Sequence, residues 1–201
     1  MEVPKRVMLF VDYENVHRHA LTRFHPPRAS RKLGHIDPLR LGELLVSRRR
    51  SPSVLVGVRV YRGLPAPRRQ PAAAAANGRQ ADAWTRSSSL VSVIRRPLRY
   101  PKTWPEHPAI EKGVDVHLAV DLVRLAFERA YDVAILMSSD TDQQPALETV
   151  WDLTPGYVET AVWLGVPWVR FPERPNLPHC HVLTDQDYRL VQDTTDYTKA
   201  A

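Results

Sequence analysis

The chain is predicted to fold as an α/β protein, with a mainly parallel central sheet covered by helices on both faces. Two apolar runs, VMLFV at residues 7–11 and VAILM at residues 133–137, have the length and composition of fully buried strands. Segments with helical spacing and further β-branched segments alternate with these runs along the chain. This alternation of strands and helices favours a parallel sheet over an antiparallel one.

In the first half of the chain we predict a strand at about 6–11, which turns at Asp12 to Asn15 into a helix that ends near Thr22. Asp37-Pro38 indicates the start of a second helix, PLRLGELLVSRRR. The β-branched segments SVLVGVRVYRG and LVSVIRRPLRY are predicted to be strands. Between them lies a Pro/Ala-rich stretch for which a linker, a lid and a helix all remain open.

In the second half, apolar residues at helical spacing predict a helix from about Val114 to Arg129. A strand at YDVAILMSS and a helix over about 144–152 follow, and then a turn at Pro155-Gly156. YVETAVWLG and VPWVRF are interpreted as strands, and Thr184 with Asp187 indicates a capped last helix. The segment His179–Cys180–His181 is interpreted as a packed Pro-rich loop rather than a metal site, because the chain has no second pair of soft ligands.

Length and composition predict one globular domain over residues 1–201. The core is expected at about 6–165, with a Pro/Ala/Arg-rich insertion at about 65–88 and a C-terminal extension at about 166–201. No apolar run approaches the roughly 20 residues of a membrane-spanning helix, and VMLFV is too short for a secretory signal. The single cysteine excludes an internal disulfide framework. We therefore expect a cytoplasmic protein that does not contact membranes.

Charge is distributed unevenly between the two halves of the chain. Residues 1–104 contain 21 Lys and Arg against 6 Asp and Glu, a net charge of +15, whereas residues 105–201 contain 7 against 16, a net charge of −9. A basic coat that only keeps the protein in solution is one explanation. A polyanionic partner bound beside an acidic site is the other, and it favours a nucleic acid.

Three groups of acids mark the candidate site: Asp12, Asp115, and the pair Asp140 and Asp142. Asp12 and the pair follow the two predicted buried strands, and the carboxyl ends of parallel strands are where open α/β sheets bind ligands. Neighbouring carboxylates repel each other and lose hydration when they are partly buried. A hard divalent cation with oxygen ligands relieves both costs.

Two of the acids lie on the predicted helix over 114–129. At about 100° per residue, Asp115 falls inside the apolar arc between Leu122 and Ala126, so it is expected on the buried face. An N-terminal cap is the alternative for Asp115. Asp121 falls at the edge of the arc and is expected to be a half-exposed surface acid, paired with Arg124.

Asp140 and Asp142 are two residues apart after a strand, so in extended geometry both would point to the same ion. An ordinary Asp-rich turn is the alternative. Ser138 is the expected short polar partner that fixes a carboxylate or a bound water. Asn15 either caps the first helix or orients water or a phosphate oxygen.

The motifs FVDYENV and EKGVDVHLAVDLVRLAFERAYDVAILMSSDTD resemble those of the NYN family of PIN-like nucleases. The family pattern is D-x-x-N after a strand, K-G-x-D-x-x-x-x-x-D on a helix and S-x-D-x-D after a later strand, and it is present here in order and at matching spacing over about residues 6–165. The family commonly has a glycine where Ser139 stands and an aromatic residue where Gln143 stands. Neither departure removes an acid.

The resemblance implies a three-layer α/β/α sandwich and a ribonuclease that depends on Mg²⁺ or Mn²⁺. It assigns metal binding to Asp12, Asp115, Asp140 and Asp142, adds Asn15 and Asp121 to the catalytic set, and gives Ser138 and Lys112 supporting roles. Metal ions would then assist phosphodiester hydrolysis. The alternative is a catalytically silent module of the same fold that binds RNA or protein. Asp12 could also be the strand-terminal acid of a phosphatase or of a receiver domain, but both are disfavoured. Glu14 stands where a dehalogenase-type phosphatase has its second Asp, and no lysine can be placed for a receiver domain.

Basic residues near the site are candidates for contacts with the backbone of single-stranded or structured RNA. The oligomeric state, a homodimer included, and a cognate inhibitor protein are left open by the sequence. Trp84 and Trp104 are candidates for base stacking, although packing is the more common role of such residues. The basic candidates are Arg18, Arg31, Lys32, Arg68, Arg69, Arg95 and Arg96.

Overall fold

The computed structural model describes residues 3–153, 157–173 and 177–199, and within them six strands form one parallel sheet. The strands are β1 (Lys5–Asp12), β2 (Ser53–Leu64), β3 (Val91–Pro97), β4 (Val133–Met137), β5 (Val158–Trp163) and β6 (His179–Leu183). The helices are α1 (Tyr13–Phe24), α2 (Pro38–Ser47), α3 (Pro71–Ser87), α4 (Val114–Phe127), α5 (Gln144–Leu153) and α6 (Asp185–Val191). Two short 3₁₀ helices span Arg31–Gly34 and Thr141–Gln143.

The sheet has the strand order β3-β2-β1-β4-β5-β6, so β1 and β4 are its two central strands. Val11 on β1 lies opposite Val60 on β2 and Met137 on β4. The chain therefore leaves β1 towards one edge of the sheet and β4 towards the other. This reversal is the switch point at which doubly wound sheets form a ligand crevice at the carboxyl ends of their strands.

Two hydrophobic cores lie on opposite faces of the sheet and confirm the predicted three-layer α/β architecture. Along β1, Val7, Leu9 and Val11 enter the core that α1, α2, α3 and α6 cover, whereas Met8 and Phe10 enter the core beneath α4 and α5. Because side chains alternate along a strand, burial on both faces requires an unbroken apolar run. That requirement explains VMLFV and VAILM.

Capping side chains fix the N-termini of two helices at the positions that the sequence predicts. Asp37 caps α2, because its carboxylate accepts hydrogen bonds from the backbone N–H groups of Leu39 and Arg40 at 2.9 and 3.1 Å. Thr184 and Asp187 form the predicted capping box of α6. The Pro/Ala-rich stretch, left open by the sequence, contains α3, which has Pro71 in its first turn.

The sixth strand differs from the sequence-based prediction. Residues 166–171 do not form a strand, and the segment from His179, predicted to be a loop, forms β6 beside β5. As an edge strand, β6 hydrogen-bonds to one neighbour only, so its sequence HCHVL lacks the apolar run of a central strand. The predicted turn at Pro155-Gly156 lies outside the described residues. None of the described helices has both the length and the apolar character needed to cross a membrane.

Candidate active site

Asp12, at the carboxyl end of β1, and the loop after β4 meet at the switch point of the sheet. The hydroxyl of Ser138 donates a hydrogen bond to Oδ2 of Asp12 at 2.9 Å, and the backbone N–H of Asp140 donates to the same hydroxyl at 3.1 Å. Ser138 is buried. One serine therefore fixes the Asp12 carboxylate and the start of the loop that contains Asp140, as expected from the sequence.

Burial of Asp12 raises its pKa to about 6, and the negative charge of Asp140 adds to the effect. The hydrogen bonds from Ser138 and from the backbone of Asn15, together with the charge of Arg18, act in the opposite direction. Desolvation is the largest contribution, so the protein holds this carboxylate where its charged form is disfavoured. A cation between Asp12 and Asp140 would offset that cost.

Asn15 lies in the first turn of α1 and connects this helix to the loop after β4. Its Oδ1 accepts hydrogen bonds from the backbone N–H and the hydroxyl of Ser139, at 3.1 and 3.2 Å. Of the two roles considered for Asn15, the cap is wrong, because Asp12 is the N-cap and its Oδ1 accepts from the N–H of Asn15 at 3.4 Å. Asn15 thus holds the two acidic segments together.

Asp140 and Asp142 do not share an extended segment, so the geometry expected for this pair is wrong. The carboxylate of Asp140 accepts a hydrogen bond from the backbone N–H of Asp142 at 3.0 Å, which begins the 3₁₀ helix Thr141–Gln143. This is the local hydrogen bond of an Asx turn, a conformation that competes with an extended strand. Asp142 is exposed, whereas Asp140 is partly buried.

The exposures expected for the two acids on α4 are reversed in the structure. Asp115 is exposed in the first turn, and Asp121 is only 4% exposed. The buried arc of α4 runs from Asp121 through Leu125 and Leu118 to Leu122 and Ala126, and Asp115 points between the last two but lies in the first turn of the helix, where it is exposed. A helical wheel gives the direction of a side chain around the axis, but it does not show whether anything packs over it.

Basic and hydroxyl groups surround the carboxylate of Asp121. Arg59 and the hydroxyl of Tyr61, both on β2, donate to its Oδ2 at 2.7 and 2.9 Å, and Arg124 donates to Oδ1 at 3.1 Å. These partners hold the pKa of Asp121 below its ordinary value, although burial alone would raise it. The predicted pairing with Arg124 is confirmed. The structure places Asp121 in this α4–β2 network.

The N-terminus of α4 reaches the loop after β4 through Asp115. The buried side chain of Gln143 donates a hydrogen bond from Nε2 to the backbone carbonyl of Asp115 at 3.2 Å. Gly113, the N-cap of α4, has a φ of 73°, a conformation that favours glycine and explains the glycine of the K-G-x-D motif. Lys112 is exposed in the loop that precedes α4.

Two further acids lie near Asp12 that the sequence did not bring forward. Glu111 accepts a hydrogen bond from the backbone N–H of Gly63, and Glu14 lies on the first turn of α1. Burial raises the pKa of Glu111, and the charges of Glu14 and Asp12 add to that effect. Their positions in the sequence could have identified them, because Glu14 is two residues after Asp12 and Glu111 directly precedes Lys112 in the EKGVD motif.

The predicted basic residues occupy several places around this end of the sheet. Arg18 lies on α1 near Asp12, and Arg31 and Lys32 pair with Glu14 and Asp196 at 2.5 and 2.8 Å. Arg95, on β3, is close enough to Arg62 to lower its pKa, and Arg96 packs against Gly113. Arg68 and Arg69 are exposed, and the guanidinium of Arg69 lies over the Tyr100 ring.

Neither tryptophan proposed for base stacking lies open at the site. Trp84 is 3% exposed, and its Nε1 donates to Asp193 at 3.2 Å, so it belongs to the core. Trp104 packs edge-to-face on Tyr100, with ring centroids 5.1 Å apart.

Comparison with known proteins agrees with this architecture. A crystal structure of a protein of unknown function from Vibrio parahaemolyticus RIMD 2210633 matches with a TM-score of 0.53 and 16% sequence identity, over 83% of this chain and 88% of the other. At this identity the match shows the fold alone. No curated protein matches the chain. The model of the NYN domain matches residues 6–153, so the chain belongs to the NYN domain family of the PIN-like nuclease superfamily.

Proposed function

We propose that this protein is a divalent-metal-dependent ribonuclease that hydrolyses RNA phosphodiester bonds. The observation that supports it most directly is the position of Asp12 and Asp140 at the sheet's switch point, joined by Ser138. Burial and like charge disfavour two carboxylates at this place unless a cation accompanies them. Membership of a nuclease family agrees with this assignment.

The donor set fits a magnesium or manganese ion held partly by water. In the described parts of the chain, no three His, Cys, Asp or Glu side chains lie close enough together to form an all-protein cage. Mg²⁺ does not need such a cage, because it keeps several waters and commonly binds through one or two carboxylates and the substrate phosphate. Asp12 and Asp140 are the residues that would hold it. When bound, the ion supplies charge stabilisation at the phosphate and a more acidic water.

The residues of the chain have separate tasks in this proposal. Asp12 and Asp140 provide negative charge at a fixed position, Ser138 orients Asp12, and Asn15 keeps the loop after β4 against α1. Asp115 and Asp142, both exposed near this loop, are proposed to bind the ion through water. Lys112 is proposed to contact the RNA backbone. Asp121 is proposed to position α4 against β2 through Arg59 and Tyr61.

The test is cleavage of a labelled single-stranded RNA by purified protein in Mn²⁺ or Mg²⁺. We expect cleavage that EDTA abolishes and that Asp140→Asn reduces to background, because the variant keeps the side-chain shape but loses the charge. Glu173→Gln, a change of an exposed acid elsewhere, is the matched control and should cleave like the wild type. Absence of cleavage across RNAs of diverse sequence and structure would overturn the proposal.

A catalytically silent module that binds RNA or protein is the second candidate. The exposure of Asp115 and Asp142 favours it, because neither acid completes a three-carboxylate group with Asp12 among the described residues. In that case the protein would bind RNA without cleaving it, and Asp140→Asn would leave its affinity for RNA unchanged.

A further inference from the structure

A cleft of about 780 Å³ lies beside the candidate active site, between α3 and the carboxyl ends of β2 and β3. This volume is within the range of about 300–1,000 Å³ that is typical of small-ligand sites. Glu14 and Glu111 line the cleft together with Gln80 and Asn77 on α3. On β2, Tyr61 lies opposite Asp12, so Arg62 in the cleft is the next residue beyond the level of the site.

Arg62 is a partly buried cation in this cleft. Among the described residues, no carboxylate lies within ion-pair distance of its guanidinium, although Arg31 and Lys32 in the same cleft are both paired. Burial is the largest effect on the pKa of Arg62 and lowers it, and nearby Arg95 adds to this effect. Interactions with Tyr13, Glu14 and Glu111 act in the opposite direction, but they do not outweigh the burial. A partly buried, unpaired charge is unfavourable unless something compensates it. An anion bound in the cleft would do so.

The guanidinium of Arg62 is also held in a fixed orientation. One of its nitrogens donates to Oε1 of Gln80 at 2.6 Å, and Nε2 of Gln80 donates in turn to the Tyr13 hydroxyl at 3.0 Å. The guanidinium carbon lies 4.5 Å from the centroid of the Tyr13 ring and 5.7 Å from that of Trp84. A preoriented guanidinium with donors to spare is suited to a phosphate, which it binds with planar, paired hydrogen bonds.

A second polar group on the cleft wall is also unsatisfied. Asn77 is 5% exposed, and its Nδ2 donates to the backbone carbonyl of Gly63 at 3.0 Å. Its Oδ1 is buried and has no hydrogen-bond partner among the described residues. A buried acceptor without a partner is costly, and a bound polar ligand or water is the usual explanation.

We propose that this cleft is a nucleotide subsite, which binds one nucleotide of the RNA strand next to the cleavage position with its phosphate on Arg62. The inference rests on the proposed ribonuclease function and adds the place where the substrate is held. The nucleotide in the cleft is unpaired, because a base inside a duplex cannot leave its partner and enter a concave pocket without unstacking. A free mononucleotide presents the same phosphate chemistry, so the test must distinguish the two sources.

The test measures the affinity of a fluorescent single-stranded RNA of about 12 nucleotides in EDTA, where the proposed cleavage cannot occur. We expect Arg62→Gln to weaken binding about tenfold and to flatten the dependence of log affinity on log salt by about 0.7, the value for one phosphate of a single strand. Arg62→Lys keeps the charge and should bind more tightly than Arg62→Gln.

Replacing one of two alanines on α3 by glutamate tests the cleft without changing Arg62. Ala73 and Ala75 are both exposed on α3, but only Ala73 lines the cleft. Glutamate is a good helix former, so both Ala73→Glu and Ala75→Glu should fold, and both lower the net charge equally. We expect about tenfold weaker RNA binding for Ala73→Glu and less than a twofold change for Ala75→Glu.

Three outcomes would overturn the subsite. In the first, Ala73→Glu and Ala75→Glu change RNA affinity equally and Arg62→Gln binds RNA like the wild type. This result would show that RNA does not enter the cleft. Adenosine monophosphate that binds as tightly as the RNA, with the same dependence on Arg62, would identify a free-nucleotide site instead. Cleavage whose KM is insensitive to Ala73→Glu would reject the subsite while leaving the nuclease intact. RNA binding that depends on Arg62 without any cleavage would support the subsite and reject the nuclease.

Discussion

Asp12 and Asp121 are both acids withdrawn from solvent, but their surroundings shift their pKa values in opposite directions. Asp121 receives hydrogen bonds from Arg59, Tyr61 and Arg124, and these partners lower its pKa. In the described part of the chain, Asp12 receives hydrogen bonds from one hydroxyl and one backbone amide, and its pKa is raised to about 6. One carboxylate is neutralised by the fold, whereas the other is left with an unmet charge.

The difference supports the proposal that Asp121 is a structural acid and Asp12 a functional one. Arg59 lies on β2, so its ion pair with Asp121 fastens α4 to β2, whereas the Arg124 pair lies within α4. At the end of β1, Asp140 instead repels Asp12, and the charge of Arg18 does not outweigh the cost of burial, so a cation from solution would compensate the remaining charge. Both acids belong to the NYN sequence pattern, so the pattern alone does not separate these roles.

The largest expected effect concerns catalysis. Asp12→Asn should lower kcat/KM for RNA cleavage about 10³-fold, because it removes charge where the ion would bind but keeps the N-cap of α1. Asp121→Asn should retain kcat within about threefold at a temperature where the variant is folded. Steady-state kinetics at 15 °C, with folding checked by circular dichroism, would measure both. Equal losses in the two variants would break the distinction between the acids.

The next effect concerns stability. Asp121→Asn should lower the free energy of unfolding by about 3 kcal/mol, because it leaves Arg59 partly buried without its carboxylate. Urea denaturation at pH 7 would measure the change. Asp115→Asn is the matched control on the same helix, and since Asp115 is exposed it should change stability by less than about 0.5 kcal/mol. A similar small change for Asp121→Asn would show that its network contributes little.

In EDTA, Asp12→Asn is expected to raise the free energy of unfolding, by less than Asp121→Asn lowers it. The folded-state pKa of Asp12, about 6, exceeds the ordinary value near 3.9, so the folded protein binds more protons between these pH values and loses stability as pH rises through them. At pH 7 the variant should therefore be more stable than the wild type by about 1–3 kcal/mol. This gain should vanish below about pH 4.

The stability effect of Asp121→Asn should depend on pH differently from that of Asp12→Asn. Because its folded-state pKa is lowered, the stabilisation from Asp121 is present above the ordinary pKa of an aspartate and is lost as pH falls through the lowered value. The destabilisation by Asp121→Asn should thus shrink only in acid. Urea midpoints of both variants from pH 3 to pH 7.5 would measure the two curves, and parallel curves would contradict the assignment.

The smallest effect concerns the ion itself. At ten times its Kd, Mn²⁺ should stabilise the wild type by about 1.4 kcal/mol through mass action. Asp121→Asn should show the same increase in its own Tm, whereas Asp12→Asn should show none. Thermal melts with and without Mn²⁺ would measure the shift, with Ca²⁺ as a comparison. A shift that persists in Asp12→Asn would place the ion elsewhere.

Several features of the fold could be predicted from local sequence because they depend on local requirements. Burial on both faces of a central strand demands apolar residues in succession, which identified β1 and β4. Asp37 before Pro38 and the pair Thr184 and Asp187 identified helix starts, because caps are formed by neighbours in the chain. The edge strand β6 has neither signal, and it was missed.

The sequence by itself determined the parallel α/β architecture, the strand-terminal position of Asp12 and Ser138 as a polar partner at the site. Only the tertiary structure decided that Ser138 binds Asp12, that Asp121 is neutralised and Asp12 is not, and that Asp115 faces solvent. It also decided that Arg62 lies in a cleft with no carboxylate partner among the described residues. The physical reason is that the charge state of a buried group depends on the desolvation and partners it meets in space. For Asp121 the decisive partner is Arg59, 62 positions away in the chain, and no local pattern records such a contact.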